Sequence, residues 1–307
     1  YEIWSTCDRS DKVFDEKFES MNFLVENYFY MPSVKKFIDL KNLVWRLGFP
    51  ANAMLGQNAV QIKVIDLGDD LVTSKYTIGK AEIPNCNTTN EIFDIDIKLD
   101  PSMQKVISKL HIEEVGYQNY IKGVYVTEDD EAKRKEAVEE HVKRYCEDAK
   151  ITKVDLKNTD INDLDGVEKP MILDADFTST KILENAGDNI IVKIGSVIGE
   201  QSELYNAKPR QTKIVNYYPH KYTRTISLNI PDGYTVKGLE KINISKSCTN
   251  KNGLVTDSAG FVSKYTLQNN KLNITCIEFY ECLQWPVEKY KEYSEVCLLY
   301  TSPSPRD

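Results

Sequence analysis

Two pairs of carboxylates have a spacing that suggests chemistry. Asp94 and Asp96 alternate with apolar residues, and Asp174 and Asp176 do the same further along the chain. Residues i and i+2 of a β-strand point to the same side, so each pair could hold a cation or perform acid–base catalysis. The same spacing is also typical of the polar face of a half-exposed strand. We favour that structural interpretation.

The three histidines do not form a recognisable metal-binding pattern. His111, His141 and His220 are far apart, and none belongs to an H-x-x-x-H or H-E-x-x-H motif. The segment from Asp160 to Gly166 superficially resembles a calcium loop, but Leu164 stands where the third ligand would be. We therefore predict neither a metal site nor a cofactor.

The cysteines and tyrosines allow two further kinds of site. No cysteine pair forms C-x-x-C, so a zinc site or a redox motif is not expected, and we interpret Cys276 and Cys282 as buried thiols. Tyr217, Tyr218 and Tyr222 could form an aromatic platform for a sugar or a peptide. Packing at strand edges is the interpretation we favour for these rings.

Composition limits the partners. The net charge of −8 argues against binding to nucleic acid or to an anionic membrane. No apolar run approaches the roughly 20 residues that a membrane-spanning helix needs. Gly195 and Gly199 are not followed by a helical pattern, so they do not indicate a phosphate-binding loop.

The elements that must position these residues are mostly short strands. Alternating apolar residues predict strands around 93–99, 171–177 and 222–230, and a hairpin is predicted around residues 268–271. Residues 117–126 also read as a strand. One amphipathic helix is predicted over 128–149, with Thr127 as its N-cap. The expected fold class is mainly β (α+β), an antiparallel β-sandwich with one packed helix.

The segment from Gly195 to Tyr234 carries a resemblance. It is similar to the C-terminal β-rich region of transglutaminase-like cell-envelope proteins from Bacteroidota. The residues that carry this similarity are Gly195, Gly199, Glu203, Tyr205, Arg210, Arg224, Pro231, Gly233 and Tyr234.

The resemblance implies a Cys-His-Asp catalytic triad in an upstream lobe. Asn22 matches the family, but Phe23 stands at the histidine position and Asp39 at the position of the orienting acid. A phenyl ring cannot accept the thiol proton, and no histidine occurs between Tyr1 and Leu110. The nucleophile would lie before Tyr1. We therefore expect a degenerate triad with no catalytic residue in this chain.

These observations predict three regions. Residues 1–75 would be the end of a degenerate papain/transglutaminase-like lobe, and residues 76–296 the β-sandwich. Residues 297–307 match the in-frame translation of a transposon-type sequencing adapter.

The expected function is that of a non-catalytic structural or binding module in the periplasm or at the cell surface, with a protein, peptide or glycan as partner. Two alternatives stay open. The chain could be part of an active cysteine amidase, peptidase or transglutaminase-type enzyme whose nucleophile lies upstream. It could also be a glycan- or peptide-binding β-sandwich.

Overall fold

The fold is described from a computed structural model that covers residues 1–18, 20–42, 47–160, 163, 169–198, 210–250 and 257–297. Three of the predicted motif residues, Gly199, Glu203 and Tyr205, lie outside the described residues. The same is true of Leu164 and Gly166 in the calcium-like segment, and of residues 298–307.

The first large sheet has six strands in the order β4-β3-β2-β1-β5-β6. These strands are β1 (Glu2–Thr6), β2 (Glu26–Met31), β3 (Lys36–Ile38), β4 (Leu47–Gly48), β5 (Asn58–Asp66) and β6 (Val72–Lys80). Trp4, Tyr28 and Phe37 form a small core on one face, where the rings of Trp4 and Phe37 meet edge to face at 5.0 Å. The sheet continues to Lys80, so the predicted boundary at residue 75 falls inside β6.

The second large sheet has eight strands and carries the main core. Its members are β7 (Asn90–Leu99), β8 (Val106–Val115), β9 (Lys150–Lys157), β10 (Met171–Ser179), β14 (His220–Asn229), β15 (Ile244–Asn250), β16 (Asp257–Gln268) and β17 (Lys271–Tyr280). The order is β15-β16-β17-β14-β7-β8-β10-β9, and only β7 and β14 run parallel. The four remaining strands form two small ribbons: β11 (Leu183–Ala186) with β12 (Asn189–Val192), and β13 (Ile214–Val215) with β18 (Gln284–Trp285).

The alternation of the sequence is confirmed in this sheet. Phe93, Ile95 and Ile97 on β7 are buried on one face, which we call the inner face. Met171, Leu173, Ala175 and Phe177 on β10 are buried on the same face. The hairpin between β16 and β17 is also confirmed: Asn269 and Asn270 have φ values of 51° and 56°, as a two-residue turn between twisted strands requires.

Helices cover the inner face, and here the prediction of a single helix over 128–149 is wrong. The described residues contain α1 (Tyr120–Thr127), α2 (Glu131–Lys143) and α3 (Tyr290–Cys297). Thr127 does not cap α2, because its hydroxyl donates to the carbonyl of Gly123 at 2.8 Å. Asp130 is the N-cap instead and accepts from Ala132 N and Lys133 N at 2.8 and 3.1 Å.

Residues 117–126, which the sequence predicts to be a strand, are wrongly assigned. Most of this segment belongs to α1, where Asn119 caps the helix by accepting from Lys122 N at 3.0 Å. Ile121 packs into the core through this helix. The β-branched residues favour a strand locally, but capping and tertiary packing decide the outcome.

Two turns hold the ends of core strands. Gly116 follows β8 with φ of 80°, and a Cβ atom there would lie 2.2 Å from the carbonyl oxygen of Thr88. Asp148 follows α2, and its carboxylate accepts from Ser179 Oγ at 2.5 Å and from the backbone N–H groups of Thr180 and Lys181. The turn at position 116 therefore needs a glycine, and the turn at position 148 needs a carboxylate side chain.

The β-rich α+β fold class is confirmed. All seven cysteines are free thiols; six are buried, Cys276 and Cys282 among them. Cys297 ends α3 with its Sγ 3.0 Å from the hydroxyl of Tyr280. None of the helices in the described part of the chain is long and apolar enough to span a membrane.

Candidate functional site

The two triad-like positions lie at different elements of the first sheet region. Phe23 lies on a short 3-10 turn, where its ring packs 5.4 Å from the ring of Phe14. Asp39 is buried after β3 and accepts a hydrogen bond from Lys41 N at 2.9 Å. This arrangement closes a turn, and within the described residues no histidine contacts Asp39.

The family-motif residues that are described are dispersed. Gly195 lies in a 3-10 turn with open space around it, and Arg210 donates to the carbonyls of Thr212 and Lys213. Pro231, Gly233 and Tyr234 form the turn after β14, in which Tyr234 N donates to the Pro231 carbonyl at 3.1 Å. Among the members of the set that the structure describes, only Arg224 is buried.

The three tyrosines considered as a ligand platform have different surroundings. Tyr217 is exposed, whereas Tyr218 stacks on Tyr117 with ring centroids 5.0 Å apart. Tyr222 lies on the inner face of the sheet, where its hydroxyl accepts a hydrogen bond from Gln118. Tyr218 and Tyr222 thus make packing and hydrogen-bond contacts, as the favoured interpretation predicts, and of the three only Tyr217 is exposed.

The outer face of the eight-stranded sheet brings both predicted carboxylate pairs together. Strand β8 lies between β7 and β10, so His111 stands between Asp94 and Asp174 in one row of the ladder. In the next row Lys109 stands between Asp96 and Asp176. Each row therefore has the pattern acid–base–acid, which places opposite charges directly across neighbouring strands.

These rows line a groove of about 400 Å³ on the outer face. Beyond the two rows, the side chains that line it come from the neighbouring strands and are Lys153, Thr225 and Ser227. Thr225 and Ser227 on β14 extend the rows past Asp94 and Asp96. The lining holds four carboxylates against two lysines and one histidine, and it contains no Phe, Tyr or Trp side chain.

His111 is held on both sides by acids. Its Nδ1 lies 2.6 Å from Asp174 Oδ1, and its Nε2 lies 3.1 Å from Glu113 Oε1. Partial burial opposes protonation, but the two carboxylates outweigh it and raise the pKa of His111. The hydrogen bond from His111 in turn lowers the pKa of Asp174. Both ring nitrogens thus face carboxylate oxygens, and both donate when the imidazole is protonated.

The other charged groups of the groove differ in whether they form hydrogen bonds or ion pairs within the protein. Asp96 accepts from Lys271 Nζ at 2.9 Å and from Asn229 Nδ2 at 2.7 Å. In the part of the chain that the structure describes, the carboxylates of Asp94 and Asp176 accept no hydrogen bond and form no ion pair, and the same holds for the ammonium group of Lys109. Two carboxylate groups and one ammonium group are therefore available to a ligand.

The inner face holds a second polar group that sequence reasoning missed. Glu114, Glu91, Tyr222 and Glu278 are consecutive partners across β8, β7, β14 and β17. Arg224, one step further along β14, pairs with Glu278 at 3.2 Å. We call these five residues the inner polar row.

The inner polar row is enclosed by helix α2 and by tyrosines. His141 Nε2 lies 3.0 Å from Glu114 Oε1, an ion-pair distance without hydrogen-bond geometry. Burial raises the pKa of Glu91, although the nearby Arg224 opposes the shift. The sequence did contain a signal for this row. Glu91, Glu114 and Arg224 each lie two residues from a buried apolar residue of the same strand, so strand alternation places them on the inner face.

His220 is the remaining histidine, and it is a packing residue. Its ring lies between those of Tyr222 and Tyr280, at 5.4 and 4.8 Å, and its Nδ1 is 3.0 Å from the Tyr218 carbonyl. Burial lowers the pKa of His220. Among the described residues, no group of three or more His, Cys, Asp or Glu side chains is arranged to hold a metal ion.

Comparisons of the chain with protein-family models, with curated proteins and with solved structures found no match. The similarity to transglutaminase-like proteins therefore stays a prediction. The outer-face groove and the inner polar row are the features from which a function can be argued.

Proposed function

We propose that this chain is a non-catalytic binding module whose ligand lies in the outer-face groove. The observation that carries the proposal is the pair of uncommitted carboxylates, Asp94 and Asp176, in an open groove on a rigid sheet. Ligand-binding clefts commonly combine a preformed shape with a few convergent polar groups. An eight-stranded sheet with a packed inner face supplies such a fixed frame.

The charge of the groove favours a cationic peptide segment over a glycan. Its lining has more carboxylates than basic side chains, and the whole chain carries a net charge of −8. Such a field attracts positively charged partners. Sugars are commonly held against the rings of Trp, Tyr or Phe, and none of these residues lines this groove.

The contacts in the groove argue against nucleophilic catalysis. A serine or threonine nucleophile needs a neighbouring base with a free lone pair. His111 has both nitrogens facing carboxylates, and Ser227 Oγ donates instead to Asn273 Oδ1 at 2.7 Å. The origin in a transglutaminase-like protein and the location in the cell envelope are proposals from the resemblance alone.

Calorimetric titration with a peptide of ten lysines tests the proposal. We expect saturable binding that weakens as salt is added, because partly exposed charge pairs are screened. The double variant Asp94→Asn/Asp176→Asn should bind about fivefold more weakly or worse. A peptide of ten glutamates should not bind.

The matched control is the double variant Glu136→Gln/Glu140→Gln, which makes the same charge change on exposed positions of α2. It should bind the lysine peptide as the parent protein does. Equal weakening in the two double variants would show that only net charge matters and would refute the groove as the binding site.

A further inference from the structure

The two large sheets meet at a junction that is held by a buried arginine. Arg9 follows β1 and is 7% exposed. Its Nε donates to the Asn52 carbonyl at 2.9 Å, and its Nη2 donates to the carbonyls of Asn216 and Tyr217 at 2.5 and 2.7 Å. Because Asn52 precedes β5 and the other two precede β14, these bonds connect the two halves of the chain.

One nitrogen of this guanidinium is uncommitted. Arg9 Nη1 is buried and has no hydrogen-bond partner within the described residues. Asp8 precedes Arg9 in the chain, and its Oδ1 accepts hydrogen bonds from the N–H and the hydroxyl of Ser10, each at 2.7 Å. A buried charged donor without an acceptor is costly, and a bound anion would relieve that cost.

Arg9 also lines a cavity of about 390 Å³ between the first sheet region and the segment that follows β17. Its walls include Phe14, Leu55, Lys80 and Leu283. Phe14, Leu55 and Leu283 are buried and apolar, whereas Lys80 is exposed and adds a second positive charge. Cationic groups and apolar walls thus share one space, at a junction where ligand sites commonly occur.

We propose that this cavity binds a small molecule with a carboxylate head and an apolar body. The carboxylate accepts from Arg9 Nη1 and faces the ammonium group of Lys80, and the apolar body packs against Phe14, Leu55 and Leu283. Arginine suits this role because its planar fork pairs well with a carboxylate. The site is separate from the outer-face groove, and it selects the opposite charge.

The test compares two probes that differ only in charge, N-acetyl-leucine and N-acetyl-leucinamide, by calorimetry and by thermal shift. We expect N-acetyl-leucine to bind and to raise Tm, and the neutral amide to bind about tenfold more weakly or worse. Octanoate serves as a second carboxylate, so that a fatty-acid source can be distinguished from an amino-acid source.

Variants of Arg9 lose the junction bonds as well, so the informative variant is Lys80→Met at an exposed position. It should weaken N-acetyl-leucine binding by about two- to fivefold. The Asp94→Asn/Asp176→Asn variant should leave it unchanged, which separates this site from the proposed function. Equal binding of acid and amide, no binding of either carboxylate, or an unaffected Lys80→Met variant would overturn the proposal.

Discussion

Removal of the Arg224 charge should destabilise the protein far more than removal of a charge from a half-exposed ion pair. Its Nη1 lies 3.2 Å from Glu278 Oε2, both side chains are at most 7% exposed, and the guanidinium covers the Tyr222 ring at 4.5 Å. Arg224→Met keeps an unbranched apolar stem but removes the guanidinium, and it leaves Glu278 buried without that cation. Breaking a buried pair in this way costs about 3–5 kcal/mol.

A pair on the outer face provides the matched control. Lys271 Nζ lies 2.9 Å from Asp96 Oδ2, and these side chains are 38% and 34% exposed. Lys271→Met should therefore cost at most about 1 kcal/mol. The double variant Arg224→Met/Glu278→Gln should recover part of the loss, because it removes the stranded charge as well.

Urea unfolding, followed by tryptophan fluorescence and circular dichroism, measures these differences; Trp285 is fully buried and reports on the core. A loss of about 3–5 kcal/mol is a large part of the roughly 5–15 kcal/mol that stabilises a typical domain. The reasoning is refuted if Arg224→Met costs no more than Lys271→Met. It is also refuted if the second substitution in the double variant adds its own full cost.

Three further predictions concern single positions. Burial raises the pKa of Glu91. The contribution of this group to stability is therefore present below the unfolded pKa and is lost as pH rises through the folded pKa. In urea unfolding, Glu91→Gln should be more stable than the parent protein at pH 8 and equal to it at pH 4. Gly116→Ala should cost about 1–3 kcal/mol or more in the same assay, whereas Gly187→Ala, at a positive φ in open space, should cost less. Burial acts against ionisation of Asp148, but hydrogen bonds led by that from Ser179 lower its pKa. Its stabilisation is present above the unfolded pKa and is lost as pH falls through the folded pKa. Asp148→Asn should therefore cost about 1–3 kcal/mol at pH 7, and the cost should shrink steadily as the pH is lowered from 4 to 2 in thermal melts.

Local patterns predicted the strands and the position of helix α2, but not helices α1 and α3. Alternation around Phe93 and Phe177 placed β7 and β10 correctly, because one face of each strand is buried and the other is polar. The segment that forms α1 was missed, since Tyr125 and Val126 favour a strand and the helix depends on its cap and its packing. The start of α2 was displaced because Thr127 bonds to its own preceding turn.

The sites depend on long-range register, which a single sequence does not reveal. The sequence showed that Asp94 and Asp96 share a side, as do Asp174 and Asp176. Their convergence in one groove requires β10 to pair with β8 in one particular register. The inner polar row has the same origin: its residues come from four strands, and no local spacing connects them.

Zero-length cross-linking of the lysine peptide to the protein, read by mass spectrometry, tests the proposed binding groove most directly. The reagent joins an ammonium group to a carboxylate only where the two are in contact. We predict cross-links concentrated at Asp94 and Asp176, and their loss when unlabelled peptide is added in excess. Cross-links spread over the exposed carboxylates of α2 and the first sheet, with none in the groove, would contradict the account.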